Sequence, residues 1–356
     1  MGEIINPALA GIQKQQGSKL PELRAKADAW SARNDLRAYK GSLRDLAGLC
    51  PAFDRRSLAD GDRAVARKDG TGKDGVGIAR SHLDVIVRRA GPGVGLLEMP
   101  VGVVTRRHQL LPHARVIESL ERALGVIRVD PAQTKAELDL TNFGARMSLA
   151  VDLPTHLDFD PVGSAPLNLR ILLSNSVNGG GLRLLSVWQQ QESGSTFAVG
   201  VTRLESRLAH RLPARLADIV PGVQRALEIA QAERAVLAQW NRQLVTRDQL
   251  VAWVDGSVRR MWGRTAAARI FHIAMTGWDA EPAFSVERES PSRRTMQATN
   301  PVPGAPAFVE TAYDALLALG WIAREVRDTG ERFDRIVETA LLMRALLRSG
   351  AKPSSN

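Results

Sequence analysis

Cysteine is almost absent from this 356-residue chain: Cys50 stands alone. An internal disulfide and a zinc site built on thiolates are therefore excluded. No uncharged apolar run approaches the roughly 18 residues that a membrane span needs. Met1–Pro7 lack the basic-then-apolar layout of a secretory signal, and Asn6 stands where a myristoylation signal after Gly2 requires Ser or Thr. A soluble chain in a reducing cytoplasm, with no membrane partner, is the expectation from these absences. The histidines (His82, His108, His113, His156, His210 and His272) form no HxH, HExxH or HxxxH arrangement, and neither a GxSxG elbow nor a GxxxxGK[ST] loop occurs. His156, Asp158 and Asp160 are the densest ligand group, in a stretch with loop composition; Cys50 has no base beside it. No catalytic residue, metal or cofactor is expected.

What is present begins with apolar residues at 44%, enough for one large or two ordinary cores and too many for a disordered chain. Lysine is scarce, eight of the 48 basic residues, the other 40 being arginine; against 38 acidic residues they leave a net charge of +10. Guanidinium groups pair with phosphates and stack on bases, so an excess of them favours a polyanionic partner. GC-rich codon usage produces the same bias, and both explanations stand at this level.

Along the chain, residues 1–75 read as a polar, basic amino-terminal extension and 76–280 as the core domain. Residues 281–349 read as a helical carboxyl-terminal extension, and 350–356 as a tail without structure. Strands are expected at Leu83–Val87, Leu96–Val104, Ala136–Leu140, Ala145–Leu153, Leu167–Leu173 and Leu182–Val187. Between the last two, Asn178-Gly179 has the composition of a tight hairpin turn. Helices are expected at Leu111–Leu124, Val223–Val245, Arg264–Gly277, Thr311–Val326 and Glu331–Arg348, with Thr246 and Gln249 as a capping box opening a further one. Residues 286–306 have the composition of an exposed loop. The fold class is α+β: an antiparallel, hairpin-rich sheet in the middle of the chain packed against helices, then a mostly helical part.

Several segments resemble the prokaryotic phage/plasmid-like family catalogued as domain of unknown function 932. They are Gly102–Glu121, Gly144–Pro154, the hairpin Ile171–Arg183 (ILLSNSVNGGGLR) and the helix Thr265–Trp278. The most distinctive is the turn motif Ser174, Asn175, Ser176, Asn178 and Gly179. The sequence departs from the family pattern at Asn178, at Thr196–Val201 and at His272. The resemblance covers roughly residues 80–280 and implies a mobile-element setting.

Two basic groups are candidate binding sites. In Val201–Arg215, Arg203, Arg207, Arg211 and Arg215 recur every four residues, with Leu204, Leu208 and Leu212 on the adjoining face of a helix. Such an element offers guanidinium groups to a phosphate backbone; the alternative is a solvated amphipathic helix. Arg259, Arg260, Arg264 and Arg269 lie among Trp253 and Trp262, a mixture that suits single strands if the rings are exposed and is ordinary core if they are not. Arg106, Arg107 and His108 form a smaller group, and Arg293 and Arg294 lie in the expected loop. The expected function is nucleic-acid binding, single-stranded DNA favoured, by a self-associating accessory protein of a phage, plasmid or integrative element. The alternative is a protein-interaction or host-defence-modulating factor of such an element.

Overall fold

The computed structural model describes residues 37–57, 83–90, 98–131, 134–163, 166–192, 195–199, 206–208, 219–282, 296–326 and 328–349. Its main element is an antiparallel sheet in the order β1 (Arg37–Gly41), β5 (Lys135–Thr141), β6 (Arg146–Asp152), β7 (Leu167–Ser176), β8 (Leu182–Glu192) and β10 (Ser206–Leu208). A short strand, β9 (Ser195–Ala198), also pairs with β8.

Side chains alternate between the two faces of a strand, and here both faces are covered. On the first face β5 buries Ala136, Leu138 and Leu140, and β6 buries Met147, Leu149 and Val151. The register Leu138↔Leu149↔Leu173 makes these rows continuous. Helices α1 (Leu43–Leu49), α2 (His113–Val126) and α3 (Ile219–Trp240) complete this half of the core with Leu43, Leu46, Ile117, Leu120, Leu124, Val223 and Leu237. Ser186 of β8 donates its hydroxyl to the carbonyl of Ala226 in α3 at 2.7 Å.

The second face is met by α6 (Ala312–Arg324) and α7 (Thr329–Ser349). Gly320 of α6 has to be glycine: a Cβ there would lie 2.0 Å from the carbonyl oxygen of Ala198 in β9. Between α3 and α6 the chain forms α4 (Arg247–Trp253), a π-helical turn at Val254–Val258 and α5 (Arg259–Thr276). A two-stranded ribbon follows, β11 (Trp278–Pro282) with β12 (Met296–Pro301). The capping box of Thr246 and Gln249 is present at the start of α4.

A smaller antiparallel sheet, β2 (Phe53–Ser57), β3 (Leu83–Arg88) and β4 (Met99–Thr105), has its own core of Phe53, Ile86, Val104, Ala145 and Val177. Hydrogen bonds from Arg88 of β3 to the carbonyl of Phe143 and from Asn178 to the carbonyl of Val101 in β4 tie it to the main sheet. Beside them a buried polar chain joins the end of β7, the segment entering α2 and the β5–β6 turn. Both side-chain N–H groups of the fully buried Asn175 are used, one on the carbonyl of Leu111 at 3.0 Å and one on Nδ1 of His113 at 2.8 Å. Because that Nδ1 accepts, the proton of a neutral ring is on Nε2, which donates to the carbonyl of Gly144 at 2.9 Å. The His113 ring also stands edge-on to Phe53, 5.6 Å between centroids. Gly144 itself has φ of 82°, and a Cβ there would lie 2.6 Å from Pro51.

The α+β architecture matches the expectation, and the details differ in four places. Arg37–Gly41 and Phe53–Ser57, inside the expected amino-terminal extension, are strands of the two sheets. One buried cluster runs from Leu43 to Leu346, so the expected extensions share a core with the middle of the chain. Met296–Pro301 is a strand where a loop was expected, because the exposed edge of β11 offers it hydrogen-bond partners. Finally, β7 and β8 are joined by five residues, 177–181, in which only Gly179 has positive φ, not by a two-residue turn.

Burial lowers the pKa of His113 to about 4, below the ordinary 6.5. A proton on Nδ1 would also face the amide of Asn175, donor against donor. Between these two values the unfolded chain binds more protons than the folded one, so the contribution is complete above pH 6.5 and is lost as pH falls toward 4. The expected loss is about 3 kcal/mol for this one group, and His108, also lowered by burial, adds in the same direction. Urea unfolding at pH 7.5 and 4.5 measures it, and the slope should flatten in a His113→Asn variant.

Candidate functional site

The expected arginine helix is corrected where it is described. Ser206–Leu208 is β10, antiparallel to β8 with Arg207 opposite Arg183. The free edge of β8 supplies backbone partners, and this pairing prevails over helical periodicity. Arg203, Arg211 and Arg215 lie outside the described residues.

The tryptophans of the second group belong to the core. Trp253 is 2% exposed and donates its indole N–H to the carbonyl of Leu342 at 2.8 Å. Trp262 is 7% exposed and donates to Glu338 at 2.8 Å, with Arg335 over its ring. Neither ring face is open to a base. Of the neighbouring arginines, Arg259 pairs with Asp255 at 2.7 Å, and Arg269 pairs with the buried Asp279, which also accepts from Trp321. Arg260 and Arg264 remain, both exposed and without an ion-pair partner among the described residues, on either side of Gly263, where α5 kinks with φ of 87°. Arg293 and Arg294 lie outside the described residues.

Arg106 and Arg107 form the other exposed basic pair, at the end of β4. Their backbone is held by Arg55, whose fork reaches the carbonyls of Arg106 and His108 at 2.5 and 2.7 Å while its Nε donates to the buried Asp84. Beside them lies the turn motif. Ser174 faces Ser148 and Arg183 across the ladder. Ser176 donates to Oδ1 of Asn178 at 2.6 Å, and Asn178 donates to the carbonyl of Val101 at 3.1 Å. His108 donates to the carbonyl of Val177 at 3.0 Å. The motif clasps β4, so closely that a Cβ on Gly102 would lie 2.4 Å from that of Asn178.

Comparison with protein-family models, with curated proteins and with solved structures gives no match. In this chain the turn motif ties the β7–β8 connection to β4 of the smaller sheet.

The remaining candidates have local roles. Asp160 accepts from the backbone of Val162 and Gly163, at 3.0 and 2.6 Å, and Asp158 accepts from Asn168 at 2.8 Å. Among the described residues no three His, Cys, Asp or Glu side chains group as metal ligands. Burial pushes the Cys50 thiol up to about 12, so it is protonated at neutral pH. His272 donates from Nδ1 to the carbonyl of Trp278 at 2.8 Å.

Sequence reasoning missed a cleft of about 290 Å³ between the second face of the main sheet and helices α6 and α7. Glu137 and Asp139 of β5 line it, with Arg170 of β7, Gln189 of β8 and Arg332 of α7. Arg170 is spent: its guanidinium engages Asp152 on two atoms and reaches Glu137 at 3.4 Å. Glu137 is shared with Lys40 at 2.6 Å. Asp139, by contrast, makes no hydrogen bond or ion pair among the described residues, and burial raises its pKa above the ordinary range. The signal in the sequence was the pattern KAELDL, whose alternate acids read as a solvent face.

If Trp262 is core, Trp262→Ala should lower unfolding stability by about 3–5 kcal/mol. Chemical denaturation of the variant checks this; a small loss would mean that the ring is dispensable to packing.

Proposed function

We infer that the protein binds nucleic acid through exposed arginines, as an accessory factor of a phage, plasmid or integrative element. One observation carries the reading. Arg106, Arg107, Arg260 and Arg264 stand exposed without carboxylate partners among the described residues, while Arg55, Arg56, Arg89, Arg259 and Arg269 around them are neutralised. With a net charge of +10, such leftover guanidinium groups attract a phosphate backbone. Trp253 and Trp262 contribute no stacking, so recognition is electrostatic and indifferent to base sequence. Self-association, with several copies along one strand, goes with this reading.

A second reading, a protein-interaction factor, is favoured by the exposure of Leu244 (76%), Phe308 (62%) and Trp278 (45%). Hydrogen bonds from Val245 to Glu310 and from Val309 to Ala274 tie the segments carrying these residues to one another.

Titration of a labelled oligothymidine at several salt concentrations separates the two. Nucleic-acid binding predicts affinity that falls steeply with salt. Replacing Arg106, Arg107, Arg260 and Arg264 together by glutamine should reduce the slope of log affinity against log salt by about 3, at roughly 0.7 per phosphate contact on a single strand. Binding that is absent at low salt, or unchanged in the quadruple variant, would remove this assignment.

A further inference from the structure

The cleft on the second face of the main sheet holds opposite charges that do not meet. Asp139, on β5, projects from the face lined by Ser148, its cross-strand partner. Arg332, on α7, lines the opposite wall and is the largest charge acting on Asp139, yet the two form no ion pair within 4.0 Å. Arg332 instead uses its Nε on the carbonyl of Val326 at 3.0 Å, which leaves the terminal nitrogens of the fork. Nothing else in the cleft neutralises Asp139, since Arg170 is engaged by Asp152 and Glu137, and Lys40 by Glu137.

Two further polar groups lack partners. Gln189 is only 6% exposed, lines the same cleft, and its side-chain amide makes no hydrogen bond among the described residues. Nη1 of Arg324, also on the lining, is buried without an acceptor. A buried donor left without an acceptor is unfavourable, so Nη1 of Arg324 favours a ligand that completes it. Between the polar ends the walls are apolar, formed by Leu172, Val187, Phe197, Phe333 and Ile336.

We propose that this cleft binds an α-amino acid with an apolar side chain, its ammonium donating to Asp139, its carboxylate accepting from Arg332, and its side chain lying along Leu172 and Phe333. A simple cation would leave Arg332 facing it, and a simple anion would be repelled by Asp139; adjacent opposite charges on one carbon satisfy both. The volume of about 290 Å³ sits at the small end of ligand cavities, a size that suits an amino acid. The site is independent of the exposed arginines, none of which lines it.

Isothermal titration of the full chain with L-leucine and L-phenylalanine tests the proposal, with 4-methylpentanoate and 3-methylbutylamine as analogues lacking one charge each. At least one amino acid should bind, and each analogue should bind at least tenfold more weakly. Asp139→Asn should weaken amino-acid binding tenfold or more. Because Arg332 also holds the start of α7, Ala150→Phe, which fills the floor of the cleft while keeping Asp139 and Arg332 in the chain, serves as the second variant and should abolish binding. Melting curves confirm that both variants fold. No heat with either amino acid up to about 10 mM, a range that detects dissociation constants near 1 mM, would overturn the proposal. So would an analogue binding as tightly as its parent, or Asp139→Asn binding like wild type.

Discussion

The amide of Asn175 and the ring of His113 fix how helix α2 sits on the end of the main sheet against which the small sheet packs. Together they join the end of β7, the segment entering α2 and the turn between β5 and β6 within one buried chain of hydrogen bonds. Each link needs a particular state: the NH₂ group must face Leu111 and His113, and the ring must be neutral with its proton on Nε2. In a low-dielectric interior such a chain is favourable only when nearly complete, and Oδ1 of Asn175 is the one atom of it left without a partner. The surrounding close contacts follow from it. Gly144 lies under Pro51, and Gly102 lies under Asn178. The small sheet is held against the large one by the bonds of Arg88 to Phe143 and of Asn178 to Val101 as much as by the modest cluster that Phe53, Ile86 and Val104 share with Ala145 and Val177.

The period-two rows of β5 and β6 were plain in the sequence, as were α2, the capping box at Thr246 and the two carboxyl-terminal helices. These elements are set by local patterns that packing reinforces. What sequence could not give was the second partner of each element. Arg37–Gly41 is short and polar and becomes a strand because β5 has a free edge for it; Met296–Pro301 likewise depends on β11. The arginine row shows a deeper ambiguity. A four-residue repeat keeps one face in a helix, but four is even, so Arg203, Arg207 and Arg211 alternate against Leu204, Leu208 and Leu212 in a strand just as well. At Ser206–Leu208 the edge of β8 resolves the ambiguity toward the strand.

The sites were less legible than the fold. Trp262 among arginines has the composition of a stacking platform, and only its hydrogen bond to Glu338 across the helical layer identifies it as core. The turn motif has the composition of an isolated hairpin, yet two of its side chains, Asn175 and Asn178, reach other elements. The cleft was hidden because Glu137 and Asp139 sit where a one-sided sheet would meet water; two-sided burial depends on α6 and α7, about 180 residues later. The charges that remain divide the surface into two kinds: arginines neutralised inside the architecture, such as Arg55 and Arg170, and those left outward, such as Arg106, Arg107, Arg260 and Arg264.

The state of the His113 imidazole tests this picture most directly. Long-range ¹H–¹⁵N correlation of the ring should show a neutral, Nε2-protonated tautomer that persists from pH 8 down to the onset of acid unfolding, in keeping with a pKa of about 4. A ring that titrates freely near the ordinary 6.5, or that carries its proton on Nδ1, would mean that the chain from Asn175 to Gly144 is not what fixes α2 on the main sheet.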